Sequence, residues 1–595
     1  MEGSTVVAPE RRALAAKTMA EAFRLTVEQY GDRTAVRTKD DEISLTWGQL
    51  RDRVDGLAAG LAGLGVKRGD TVALAIGNRP EFHIADIAVM SLGATAFSVY
   101  ATSTADQIAF VVGDAESRVA IIEEAFVERF LAARSQLPKL ETIIVLEGAR
   151  GDGTVAWDDV EGADADVDLE AAWRAIEPED ILTLIYTSGT TGPPKGVQIT
   201  HRNMIFLVKS VADLFQFPED GRVISWLPSA HIAERNAHHY VPILFGMTIT
   251  SCPDPRQVAA YLPAVRPTWF FAVPRVWEKL KAGLEAHLSQ DERKRAWLEA
   301  STQKVWAEQR GEPVPDDVAA LTAEGEEQLF AQLRSMLGLD AAVAVNVGAA
   351  PTPPAVLAFF HAIGVPLAEL WGMSETTGGG CCNPRERIKI GTVGPPTPGV
   401  EVKLGEDGEL LVRAEFNMAG YRNQPERTAE TIDPDGWLHT GDIAEIDEDN
   451  YVRIVDRKKE LIISSAGKNM SPANIESTLK GASPLIGQAC VIGDARPYNT
   501  ALIVLDADFA PAWAAQHGLE GKDLAALAAE PAMREAVQQG IDAANEQLAR
   551  VEQIKKFTLV QGDWLPGGDE LTPTMKLKRK PIAEKYADVI ESMYA

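Results

Sequence analysis

The stretch Ile185–Val197, IYTSGTTGPPKGV, holds three threonines, one serine, three glycines, two prolines and a single cation, Lys195, directly after an apolar run. Ser188, Thr190 and Thr191 offer hydroxyls, while Gly189, Gly192 and Gly196 let backbone N–H groups approach a ligand closely. Such a loop suits phosphate oxygens. It is not an ordinary phosphate-binding P-loop, because Pro193-Pro194-Lys195 stands where that loop has Gly-Lys-Ser/Thr. A flexible linker is the plain alternative, and the preceding strand and the lone lysine argue against it. Two further loops, VGAAPTPP (Val347–Pro354) and LWGMSETTGGG (Leu370–Gly380), also follow apolar strands. In the second, Glu375 is a carboxylate suited to Mg²⁺ and Trp371 is suited to lie against a flat ring. Taken alone, a glutamate ending a strand reads more simply as a solvated or capping residue. Asp442, in Thr440-Gly441-Asp442, is placed either to accept hydrogen bonds from a ribose diol or to close an Asx-turn.

Loops of this kind need strands behind them, since ligands of open α/β sheets bind beyond the carboxyl ends of the strands. The first four hundred or so residues supply that rhythm: TVALAI, VAIIEE, TIIVLEG, ILTLIYT, TWFFAV, AVAVNVG and VPLAELWG alternate with helical stretches, which predicts parallel βαβ units. The acidic, turn-rich GARGDGTVAWDDVEGADADVDLEAAW reads as a surface connection outside the core. From about Glu278 to Leu339 charged, helix-forming sequence predicts a helical insertion. Gly/Pro punctuation over 391–399 precedes short strands and predicts a switch to antiparallel structure, and a small α+β region follows DRKKELI.

At 595 residues, with 46% hydrophobic and 24% charged composition, the chain is too long for one compact core, so two or more domains are expected. A formal net charge of −28 disfavours nucleic acid and anionic lipid headgroups as broad electrostatic partners, leaving small molecules as the default. Cys252, Cys381, Cys382 and Cys490 make neither a disulfide framework nor a zinc ribbon, which fits a reducing, cytoplasmic setting. The N-terminus lacks an apolar signal core and no run is long enough to span a bilayer; peripheral membrane contact stays open.

Together and in this order, YTSGTTGPPKG, GAAP, WGMSE, TGD, DRKKELI and LTPTMKLKRK resemble the adenylate-forming superfamily of acyl-CoA synthetases, luciferase-like enzymes and peptide-synthetase adenylation domains. PTWFFAVPRVWEKL, LPSAHIAER, the helical insertion and the length make the resemblance nearest to bacterial long-chain fatty-acyl-CoA ligases. The fold this implies is α/β: a large N-terminal domain (1–456) of doubly wound βαβ subdomains plus a small antiparallel β subdomain, then a small mobile α+β C-terminal domain (457–595). By matching motif, Ser188, Gly189, Thr190, Thr191, Gly192 and Lys195 would hold the ATP phosphates. Gly348, Ala349 and Ala350 would border the adenine, with Trp371 and Gly372 beside them and Trp371 where many relatives have tyrosine. Ser374 keeps the hydroxyl of a more usual threonine. Glu375, with Thr190, would bind Mg²⁺; Asp442 would bond the ribose, and Arg457 the ribose or phosphate. Lys576 matches the lysine that catalyses adenylation, Lys459 the hinge, and Gly467 the passage for the pantetheine arm of CoA. His231 matches a position beside the acyl carboxylate. His238 and His239 are spaced to share its helical face, but without a clear carboxylate partner a pocket wall is the better account than a metal site.

The implied reaction is ATP-dependent conversion of a fatty acid to acyl-AMP and pyrophosphate, then transfer to CoA. Three alternatives stay open: an aryl or medium-chain acid as substrate, an acyl carrier protein as acceptor, and a nucleotide-binding scaffold without turnover. Retention of Lys576 and Glu375 speaks against the last.

Overall fold

The computed structural model describes residues 11–595 except 152, 164–165, 188–192, 213, 289, 464–468 and 573–574. Strands Thr95–Ser98, Thr71–Ala75, Val119–Ile122, Thr142–Val145 and Thr154–Ala156 run parallel in that spatial order. Thr71–Ala75, TVALA, is buried at every position, as a parallel strand covered on both faces requires. The hairpin Ile181–Thr187 and Lys195–Thr200 continues this sheet, and the short strand Gly420–Tyr421 closes its edge by pairing antiparallel with Lys195–Thr200.

A second sheet carries Trp269–Ala272, Ala344–Val347 and Leu367–Gly372 in parallel, then Gly380–Cys382 antiparallel. Between its first two strands the chain is helical, beginning with the long helices Pro274–Leu288 and Glu292–Gln309. A third sheet, Glu401–Leu404, Glu409–Arg413, Leu438–Ile446 and Val452–Arg457, is antiparallel throughout. Beyond it, Ile486–Ile492, Asn499–Leu505 and Ile554–Leu559 form a sheet with a hydrophobic core of its own, built with Ile475, Val537 and Ile541 from two flanking helices. This α/β architecture, a large N-terminal lobe with mixed sheets and a smaller C-terminal lobe, is the one the sequence predicts.

Two expectations need correction. The acidic segment after Gly148 is not only a surface connection: Thr154–Ala156 is the edge strand of the eight-stranded sheet, and Trp157 and Val160 are buried in the main core. Gly60 leaves room for it, since a Cβ there would collide with the Val160 carbonyl. The apolar pair at i, i+3 was outweighed by the surrounding acidic residues. Gly196 is not a loop glycine either; it lies within strand Lys195–Thr200, facing the Tyr186 ring. All four cysteines are free and buried. Among the described residues no helix is long and apolar enough to cross a membrane.

Candidate functional site

Strand pairing brings the first cation to a carboxylate. Lys195 opens its strand, and the neighbouring strand Gly420–Tyr421 sets Tyr421 beside it. Lys195 Nζ lies 3.1 Å from Tyr421 Oη and 4.4 Å above the centre of its ring. The Tyr421 hydroxyl donates to Glu375 Oε1 at 2.7 Å, and Lys195 Nζ stands 4.0 Å from the same oxygen. Burial holds the Lys195 ammonium below the ordinary lysine value, Glu375 opposes that shift, and Arg427, Lys459 and Arg457 reinforce it. Tyr421 was missed by sequence reasoning. It lies 226 residues from Lys195, and GYRN has no local feature that separates it from any other turn.

Glu375 is held in a tight turn, Ser374–Thr376. The Thr376 hydroxyl accepts from Met373 N at 3.0 Å, and the Glu375 carbonyl accepts from Met418 N at 2.8 Å. Asn236 donates to the carbonyl of Thr377, tying the turn to the helical segment that follows His231. Gly372 backs the turn against the Gly378 backbone, where a Cβ would not fit.

A second group forms where Leu438–Ile446 pairs with Val452–Arg457, with Asp442 opposite Arg457. Asp442, almost wholly buried, accepts from Trp371 Nε1 at 2.8 Å and pairs with Arg457 Nε at 2.6 Å. Burial raises the Asp442 carboxyl above its ordinary value, while Arg457, the Trp371 N–H and Lys576 oppose the rise. Trp371 is thus a hydrogen-bond donor to Asp442, with part of its ring packed on Gly380, as well as an aromatic surface. Asp442 serves more than an Asx-turn.

Lys576 comes from the C-terminal lobe, on a reversal in which its N–H donates to Thr572 Oγ1 and its carbonyl accepts from Thr572 N. Its side chain keeps solvent contact, yet the protein around the ammonium, then the Arg457 cation, holds it below the ordinary lysine value. Asp442, Glu460 and Glu375 pull the other way. His231 feels Lys576 too: burial first, then that cation, lowers its imidazole to about 4. His231 caps the helix Ile232–Arg235 by accepting Ala233 N–H at Nδ1, 3.1 Å away, so the neutral ring carries its proton on Nε2.

His238 and His239 do not join His231, and both have carboxylate partners. His238 Nδ1 is 2.6 Å from Glu234 Oε2, and His239 Nε2 is 2.9 Å from Asp86 Oδ1, which is also near the Tyr240 hydroxyl. Asp86 also pairs with the fully buried Arg235. His231 is the cap before the helix, whereas His238 and His239 lie in the π-helical segment Asn236–Tyr240 with both rings buried, which corrects the shared helical face and the lack of carboxylate partners. Among the described residues no cluster of three or more His, Cys, Asp or Glu is arranged to hold a metal ion.

Gly348 ends strand Ala344–Val347 where a Cβ would meet the Leu370 carbonyl at 2.9 Å; Ala349 takes a left-handed φ of 70°, and Ala350 is exposed. A non-glycine residue in that conformation is strained, a feature the sequence did not signal. Lys459 lies in the exposed turn after Arg457. Ser188, Gly189, Thr190, Thr191, Gly192 and Gly467 lie outside the described residues.

The sequence model of a family described as AMP-binding enzyme matches residues 23–422, and that of the AMP-binding enzyme C-terminal domain matches 459–595. The chain is 49% identical over 454 residues to the putative fatty-acid–CoA ligase fadD11 of Mycobacterium tuberculosis, covering 75% of this chain and 79% of that one. It is 34% identical over 560 residues to the long-chain-fatty-acid–CoA ligase FadD15 of Mycobacterium bovis, covering 92% of each. In fold it is similar to the adenylation domain of a carboxylate reductase from Mycobacterium chelonae, with a TM-score of 0.75, 19% identity, and 98% and 93% of the two chains covered.

Proposed function

The chain belongs to the AMP-binding enzyme family, and from that premise we propose that it joins a fatty acid to CoA through an acyl-adenylate, consuming ATP and releasing pyrophosphate and AMP. The observation that carries this reading is the meeting of Lys195, Tyr421 and Glu375 with Asp442, Arg457 and the C-terminal lobe's Lys576.

The chemical difficulty is that a carboxylate must attack the α-phosphorus of ATP, one anion approaching another. Lys195 and Lys576 answer it with positive charge fixed around the transferring group, where surrounding protein strengthens the attraction. Asp442 accepts from the ribose hydroxyls while Trp371 and Arg457 hold its carboxylate in place. The loop 348–350 borders the adenine beside Gly372, and Ser374 adds a hydroxyl. His231, its Nε2–H free of the helix cap, donates to the acyl carboxylate and orients it. The buried Glu375, beside one ammonium and, among the described residues, in no cluster of three or more possible ligands, would hold a Mg²⁺ ion together with Thr190. Bound there, the ion would offset phosphate charge. Ser188, Gly189, Thr191 and Gly192 hold the β- and γ-phosphates.

AMP is a good leaving group, so a thiol displaces it from the acyl carbon and the thioester forms. The cleft must first lose Lys576 and admit CoA. Rotation of the C-terminal domain at Lys459 does this and brings Gly467 to the pantetheine passage. The test is AMP release with a panel of acids, with and without CoA. Turnover with long-chain acids only when CoA is present is expected; turnover only with a carrier protein, or only with aryl acids, would replace the acceptor or the acid, and none at all would refute the enzyme.

A further inference from the structure

Three ion pairs join the helix Pro274–Leu288 of the N-terminal lobe to the C-terminal lobe, and none involves a residue assigned above. Arg275 pairs with Asp506, Lys279 Nζ lies 2.5 Å from Asp508 Oδ2, and Lys480 Nζ lies 3.9 Å from Glu278 Oε1. Arg275, Glu278 and Lys279 share one helical face at i, i+3 and i+4. Their signs, plus, minus, plus, meet minus, plus, minus across the lobes, so each charge faces an opposite one. Close packing accompanies the pairs: Pro353, just after the 348–350 loop, touches the position of Gly481, where a Cβ would meet it at 3.0 Å.

The three pairs are unequal. The side chains of Lys279 and Asp508 are 46% and 68% exposed, and such surface pairs contribute little. Asp506 is 4% exposed, and its Oδ1 already accepts N–H groups from Asp508 and Phe509 at 3.0 and 2.9 Å. Its Oδ2 faces Arg275, which is also 3.3 Å from Glu278 Oε2. A buried carboxylate without its cation is costly, whereas the same carboxylate in water is not.

We propose that Arg275 is a positioning residue for adenylation: by neutralising Asp506 at the lobe interface it docks the C-terminal lobe in the orientation that presents Lys576, and it lets go when the lobe turns for the thiol step. This rests on the role given to Lys576 and on rotation at Lys459. Removing Arg275 penalises the docked state, in which Asp506 is buried, and spares the turned state, in which Asp506 returns to water.

The experiment measures the two half-reactions separately in the full-length protein. In Arg275→Ala, fatty-acid-dependent ATP–pyrophosphate exchange should fall roughly tenfold or more, in kcat more than in KM for ATP, while transfer from supplied acyl-adenylate to CoA stays within about twofold of wild type or rises. Arg275→Lys should recover a substantial part of the exchange. Carbodiimide cross-linking of Lys279 to Asp508, mapped by mass spectrometry, should drop in Arg275→Ala. Equal loss in both half-reactions, as misfolding would give, an unchanged exchange, no recovery with lysine, or unchanged cross-linking would each overturn the assignment. If wild type exchanges and Lys576→Ala does not, an indifferent Arg275→Ala sinks this inference alone; if Lys576→Ala exchanges normally, the reading beneath it fails.

Discussion

The Tyr421 hydroxyl donates to Glu375 Oε1 at 2.7 Å while Lys195 Nζ rests 3.1 Å from the same hydroxyl. One phenol therefore bridges a cation and a carboxylate whose charged atoms lie 4.0 Å apart. Burial and Glu375 both raise the Tyr421 phenol above its ordinary value, so it stays a donor throughout the working pH range.

Tyr421→Phe keeps the ring under Lys195 and deletes only this bridge. Steady-state kcat should fall roughly tenfold, the scale of one hydrogen bond to a charged group, with the melting temperature little changed. A variant as active as wild type would remove Tyr421 from the site.

Lys576→Ala should depress ATP–pyrophosphate exchange by roughly a hundredfold or more, since it withdraws a charge from the transition state of phosphoryl transfer, yet leave transfer from supplied acyl-adenylate to CoA within a few-fold. Comparable loss in both steps would mean that Lys576 supports the fold or both states.

The Trp371 indole N–H is a specific donor to Asp442, so Trp371→Phe tests hydrogen bonding with an aromatic ring retained. Losing a donor to a buried carboxylate leaves Asp442 easier to protonate and less firmly held. Calorimetric titration should show ATP binding weakened several-fold, on the order of 1 kcal/mol; undiminished affinity would confine Trp371 to packing.

A pH effect follows from Glu369, one strand position before Leu370. Burial raises its carboxyl to about 8, although Gly391 N–H donates to it. In the pH window between its unfolded value, about 4.3, and 8 the folded state binds the extra proton, so Glu369 contributes stability at low pH that is lost as pH rises through about 8. Glu369→Gln keeps an acceptor for Gly391 and abolishes the titration. Its melting temperature should exceed that of wild type by a margin that widens from pH 5 to pH 8; a constant margin would assign the effect to something other than Glu369.

Lys459→Pro stiffens the turn after Arg457. The complete reaction should suffer more than the adenylation half alone, measured side by side; equal loss would count against a hinge there.

Much of the architecture was legible before any coordinates. Runs such as TVALA and VAII carry their burial in their composition, and a strand buried on both faces has no polar alternative. The Trp157 strand and helix were not legible, because a local acidic excess says nothing about which two apolar side chains find a core. The positions of Gly348 and Glu375 just beyond strands followed from sequence order alone, whereas Lys195, read as part of a loop, opens the return strand Lys195–Thr200. The neighbours of those residues did not. Tyr421 reaches Lys195 by pairing of two strands distant in the chain, Asp442 gains Trp371 from another sheet, and His238 and His239, in the π-helical segment Asn236–Tyr240, face Glu234 and Asp86 instead of joining His231.

The amino-acid sequence by itself determined the elements and the chemical groups they end in, because periodicity and turn chemistry act over a few residues. Only the tertiary structure decided which groups meet. Hydrogen bonds and charge pairs act over a few ångströms, and the distance between Lys195 and Tyr421, or between Arg275 and Asp506, is set by sheet order and lobe docking rather than by any count along the chain.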